Sequence, residues 1–153
     1  MRHLLLAALI TLAPLHAMAT SCSLPDTAQA EANDIARGLA AFRAARGLAR
    51  SAPDAKLSAA AQAHACHLAE IGQMTHVGRG GTNSMQRALS AGAQVRLAAE
   101  NLAWGYRDGA KVVALWSGSA AHARNMAHPR ATRYGLGIAQ SPRGPYWVLL
   151  LGG

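Results

Sequence analysis

The chain has 153 residues and is 51% hydrophobic, but 36 residues are alanine and aromatic residues make up only 5%. Lys and Arg outnumber Asp and Glu by 15 to 7, a formal +8, and thirteen of the cations are Arg. These figures exclude a disordered chain, which lacks the apolar content to offset ordering entropy. They also exclude two large domains, since about 100–150 residues make one. No run of cations marks a nucleic-acid-binding tail.

Met1-Arg2-His3 is a short basic start, Leu4 to Leu15 is apolar, and Ala17-Met18-Ala19 places small residues where a signal peptidase reads. Residues 1–19 therefore read as a secretory signal peptide cleaved after Ala19, which places the mature chain in a secreted or periplasmic setting. The apolar run is shorter than the roughly 20 residues of a spanning helix, so no membrane span is expected after cleavage. Loss of Arg2 lowers the net charge to +7. Outside the cytoplasm a basic protein meets anionic lipid heads, cell-wall polymers or acidic glycans rather than nucleic acid. Export also permits a disulfide, and the even count, Cys22 and Cys66, points to a pair. Two free thiols and lipidation of Cys22 are the alternatives; Ala19-Thr20-Ser21 lacks the large aliphatic residue usual before a lipidated cysteine.

Residues 20–30 form a polar lead-in to a single domain, 31–153. Asp26-Thr27-Ala28-Gln29 resembles a capping box. Ile35, Leu39 and Phe42 then share one face of a helix ending near Gly47. Arg50 to Asp54, with Pro53, reads as a turn. A second helix runs from Lys56 to Ile71, stopped by Gly72, with Leu57, Ala60, Ala61, His64, Leu68 and Ile71 in one stripe. Cys66 falls on its opposite face, where a segment carrying Cys22 could be stapled. Residues 75–81 are a Gly-rich loop. Asn83-Ser84-Met85-Gln86 reads as another capping box, opening a short helix with Met85, Ala88 and Leu89 on it. Val95, Leu97 and Ala99 alternate with Gln94, Arg96 and Ala98, a short half-buried strand with Glu100 at its end. Asp108-Gly109 precedes a helix carrying Val112, Trp116 and Ser119 on one face. Tyr134–Ala139 and Tyr146–Leu151 are strands joined by the turn-rich Ser141–Pro145. The order predicts an α+β sandwich with an antiparallel sheet between helices.

No phosphate loop, nucleophile elbow or short zinc signature is present. His64 and His67, at i and i+3, read either as a metal pair or as one core and one edge histidine. His76 lies in the Gly-rich loop. Glu100 is bordered by Ala98, Ala99, Leu102 and Ala103. A carboxyl group so placed is partly buried and should face a His, an Arg or backbone donors. His122 follows the Trp116 helix.

Several segments together resemble the bacterial branch of the CAP superfamily: the cysteine-rich secretory, antigen 5 and pathogenesis-related (SCP-like) proteins. The resemblance covers about residues 31 to 151. It rests on Arg43 to Leu48, the Ala-rich Leu57 to Ala65, Thr75-His76, and above all Glu100-Asn101-Leu102-Ala103-Trp104-Gly105. Trp116 to His122 with Asn125-Met126 resembles the family's W-x-x-S-x-x-H-x-x-N segment, and Gly135-Leu136-Gly137 and Tyr146-Trp147-Val148 resemble its last strands. It implies an α-β-α sandwich with a central antiparallel sheet and a surface cleft, in which His76, Glu100 and His122 are the cleft residues and Asn101 and Ser119 their neighbours. Some members bind a divalent metal there, which makes His76 and His122 candidate ligands of an ion such as zinc. Ser119 departs from the animal and plant pattern, which has a second glutamate at that place, and Ala40 stands where many relatives have Asn.

Three functional readings follow. One is a binding module whose cleft takes a lipid or cell-envelope ligand, alone or with a metal held by His76 and His122. Another is a protease- or esterase-like hydrolase in which the same residues hold Zn²⁺ and a water, or Glu100 acts as base and His122 as acid. The third is an envelope scaffold with a silent cleft.

Overall fold

The structure, a computed structural model, describes residues 22–153. The signal segment and its cleavage after Ala19 lie outside the described residues.

Helix α1 spans Ala28–Ala44 and buries Ile35, Leu39, Phe42 and Arg43. The capping box expected at its start is not formed. Thr27 sits at φ −86°, ψ 1°, and its side chain caps nothing; the backbone carbonyl of Pro25 receives the Ala28 N–H instead. The turn that follows carries a two-residue strand, β1 (Ala52–Pro53). Helix α2 spans Ala55–Ile71, capped by Asp54, which accepts from the Lys56 and Leu57 amides, and ended by Gly72 in the left-handed region at φ 66°. Its stripe is buried as far as Leu68, but Ile71, the last residue of the helix, is exposed.

Helix α3 spans Ser84–Ser90 behind a complete Asn83–Gln86 capping box. Only Ala88 of this short helix is buried, and Leu89 faces solvent. Strand β2 is Ala98–Trp104, displaced from the alternating segment that begins at Val95. The Arg96 and Leu97 amides both bond the Gly153 carbonyl, which holds that segment as a loop until the ladder begins at Ala98. Helices α4 (Gly109–Gly118) and α5 (Ala120–Met126) are separated by Ser119. Ser119 is therefore not on the Val112–Trp116 face: it has extended dihedrals (φ −96°, ψ 121°), closes α4 and opens α5. Strands β3 (Arg133–Ala139) and β4 (Tyr146–Gly152) form the terminal hairpin.

The sheet order is β1-β3-β4-β2. Strand β4 pairs antiparallel with both β2 and β3, and β1 joins β3 in parallel at two residues only. Every residue of β4 is buried, and its alternation divides the core in two. Trp147, Leu149 and Leu151 meet Ile35, Leu39, Val112, Trp116 and Met126 of α1, α4 and α5 on one face. Tyr146, Val148 and Leu150 meet Leu57, Ala61, Ala65 and Leu68 of α2 on the other. The α+β sandwich is thus helices on both faces of a four-stranded, mainly antiparallel sheet.

Small residues set the second layer. A Cβ at Gly135 would overlap the Leu57–Ser58 peptide, and one at Gly137 the Ala61 carbonyl. The α2 backbone lies directly on β3 there, which explains the pairing of an Ala-rich helix with a Gly-Leu-Gly strand. The Gln62 side chain completes the strand edge: Oε1 accepts from the Ile138 amide at 3.0 Å and Nε2 donates to the Ile138 carbonyl at 2.8 Å. On the outer side of α2, Cys66 is bonded to Cys22. Neither cysteine is free, so Cys22 has no thiol to carry a lipid.

Candidate functional site

Strand β2 is an edge strand, and consecutive residues of a strand point to opposite faces. Glu100 therefore reaches the α2–α3 side and Asn101 the α5 side. This alternation joins the two halves of the site at one point on the sheet rim.

Glu100 is 6% exposed and its two oxygens are divided between partners. Oε1 lies 2.8 Å from His76 Nδ1, and Oε2 accepts from the Arg87 guanidinium at 2.5 Å. Arg87 also donates to the backbone carbonyls of His76 and Thr82, fixing the loop that carries His76. Accepting from Arg87, the Glu100 carboxylate orients the His76 ring with its proton on Nδ1. His76 Nε2 is then the free position on a side chain that is 63% exposed.

His64 stands behind this pair. Its side chain has no exposure, and Nε2 lies 3.7 Å from Glu100 Oε1 and 3.0 Å from the Thr75 carbonyl. A carbonyl only accepts, so Nε2 carries the proton. Burial is the main influence and pushes the His64 pKa down, against the pull of Glu100 and with the repulsion of Arg87. The imidazole is therefore held neutral.

On the other face, Asn101 Nδ2 donates to the His122 carbonyl at 3.1 Å, and Asn125 Nδ2 donates to Asn101 Oδ1 at 2.9 Å and to the Glu100 carbonyl at 3.2 Å. These bonds tie α5, and with it His122, to the β2 rim. His122 is half-buried; burial lowers its pKa, and the nearby His76 lowers it further. Its Nδ1 is buried without a partner. Ser119, half-buried at the start of α5, makes no capping bond.

The structure thus brings His76, Glu100, Asn101 and His122 to one rim, with Ser119 at the head of the helix carrying His122. Sequence reasoning missed Arg87 and the role of His64. A histidine interrupting an apolar stripe is a usable signal for a partnered imidazole, but nothing in the α3 pattern singles out Arg87. The His67 ring centroid lies 6.2 Å from that of His64.

Both Glu100 oxygens already accept a hydrogen bond, and among the described residues no Ser, Thr or Cys side chain hydrogen-bonds an imidazole at the rim. No group of three or more His, Cys, Asp or Glu side chains among them is placed to hold a metal ion. A hydrolytic zinc centre needs three protein ligands and an open position, and the donor set here does not fit one. A groove of about 360 Å³ between α2 and α3 adjoins the cluster through His64 and Arg87. A groove of about 540 Å³ lies beside the disulfide.

The profile of the cysteine-rich secretory protein family, CAP, matches residues 36–151. No curated protein matches the sequence. Among solved structures, the fold is similar to an outer surface protein of Borrelia burgdorferi (TM-score 0.77, 24% identity, 86% of this chain and 97% of that one). It is also similar to an extracellular SCP-domain protein of Bacillus anthracis (TM-score 0.68, 20% identity, 80% of this chain and 40% of that one). A third is a cysteine-rich secretory protein of Staphylococcus aureus (TM-score 0.61, 14% identity, 82% and 39%). This chain spans about two fifths of the latter two proteins.

Proposed function

The chain belongs to the cysteine-rich secretory protein (CAP) family, and we propose that within it this protein is an exported binding module rather than an enzyme. Its β2 rim takes a polar group of a lipid or cell-envelope ligand. His76 offers Nε2, with its ring oriented by Glu100; His122 offers a neutral imidazole; Asn101 and Ser119 border them. The observation that carries this reading is the full engagement of Glu100. With one oxygen bonded to His76 and the other to Arg87, the buried acid at the rim is engaged in positioning those two side chains. The net charge of +7 after loss of the leader favours an anionic envelope.

Envelope fractions and extracted lipids incubated with the mature protein should yield a co-purifying ligand. The His76→Ala/His122→Ala double variant should lose it while retaining the melting temperature. Equal recovery by both proteins, or by neither, contradicts the assignment and leaves the scaffold reading.

One observation favours a second reading. A carboxylate–imidazole pair with an exposed Nε2 can activate water without a metal. Ester or peptide turnover that disappears in His76→Ala would move the assignment to hydrolysis.

A further inference from the structure

The groove between α2 and α3 holds features that the rim does not use. Its walls include the methyl groups of Ala60, Ala63 and Ala91, and its polar side chains include His64, His67 and Arg87. Among the described residues, four buried side-chain nitrogens lack a hydrogen-bond partner, and three belong to residues that line this groove: His64 Nδ1, His67 Nδ1 and Arg87 Nε. The His64 and Arg87 side chains are 0% and 9% exposed, so bulk water does not serve them. Leaving one such group unsatisfied costs about 1–3 kcal/mol. Native proteins carry few; His64 Nδ1, unprotonated because Nε2 carries the proton, is itself an acceptor, but Arg87 Nε and His67 Nδ1 can both donate and call for a common acceptor.

The charges narrow the choice of ligand. Arg87 is balanced by Glu100, and Arg79, which also lines the groove, is balanced by Glu70. No carboxyl group lines the groove itself. A guanidinium Nε always carries its hydrogen, so the missing partner of Arg87 is an acceptor. One unshared guanidinium N–H between already balanced ion pairs suits a monoanion better than a polyanion. The volume stands near the low end of the range for ligand pockets, about 300–1,000 Å³, which selects a compact molecule.

We propose that this groove is a second binding site, distinct from the rim, for a small amphiphilic carboxylate whose oxygens face Arg87 Nε and His67 Nδ1 and whose short apolar body lies on the alanines. The two sites share Arg87, which bonds Glu100 from one side and lines the groove on the other.

The test is an amide NMR titration of the mature protein with octanoate, with octan-1-ol as the control of equal chain length. Octanoate should give saturable shifts at Ala60, Ala63, His67 and Ala91. Octan-1-ol should bind at least about tenfold more weakly, as expected for loss of a charge-assisted hydrogen bond. Ala59→Phe, at an exposed wall position, should block the groove and abolish the shifts without lowering the melting temperature. His67→Phe, which keeps the ring and removes its nitrogens, should weaken octanoate. Absence of saturable shifts overturns the proposal. So do equal affinities for acid and alcohol, shifts confined to His76 and His122, or undiminished binding by Ala59→Phe.

Discussion

Glu100 organises its surroundings because a carboxylate removed from water must be paired. Arg87 and His76 meet that need directly, and His64 closes the space behind. The arrangement has a consequence for stability. Burial holds the His64 and His122 pKa values below their ordinary 6.5. Unfolded, both histidines take up protons near 6.5, whereas folded they resist until the pH is lower. The unfolded state therefore binds more protons in that window, and stability falls as pH drops from about 7 toward 5. Asp54, held below its ordinary 3.8 mainly by its bond from the Leu57 amide, contributes a separate loss only at more acid pH. Urea unfolding should give a larger free energy at about pH 7.5 than at about pH 5, and His64→Gln should flatten that difference. An equal slope in wild type and variant would contradict this account of His64. That Glu100 needed a partner was legible from Ala98, Ala99, Leu102 and Ala103 around it. Arg87 was not, because the contact joins a short helix to a strand and leaves no periodic trace.

At the scale of elements, the α2–β3 contact packs backbone directly on backbone. Helix backbone meets strand backbone at Gly135 and Gly137, and Gln62 replaces a missing neighbour strand at Ile138. Gly137→Ala should destabilise by about 1–3 kcal/mol or more, since the overlapped atoms are backbone and cannot rotate away. Gly118→Ala, where a Cβ meets nothing within 4 Å, should be neutral or stabilising by up to about 1 kcal/mol. Equal effects in urea unfolding would refute the contact. Helix α2, its Gly72 stop and the last two strands were legible because period and punctuation agree there. The start of β2 was not: Val95 to Ala99 alternates like a strand, but the Gly153 carbonyl takes the Arg96 and Leu97 amides. The break at Ser119 escaped for a related reason. Its apolar spacing continues the α4 face, and only the backbone dihedrals reveal the turn.

At the scale of the molecule, topology decides where function sits. The order β1-β3-β4-β2 leaves β2 at an edge, so residues of both helical layers converge at Glu100 and Asn101. Local pattern does not encode strand order, and the resemblance of whole segments to a known family supplied what periodicity could not. The disulfide fits the same plan. With Gln140 donating to the Ser23 carbonyl, the Cys22–Cys66 bond straps the lead-in to the outer side of α2. Its 44-residue separation corresponds to about 4 kcal/mol in the chain-entropy account.

Native mass spectrometry of the protein recovered from exporting cells tests the central claim most directly. The account predicts a chain beginning at Thr20, two hydrogens lighter than its reduced form, that carries a non-covalent envelope molecule, and a His76→Ala/His122→Ala variant of the same covalent mass without it. A bare wild-type chain, or a bound molecule retained undiminished by the double variant, would contradict the account.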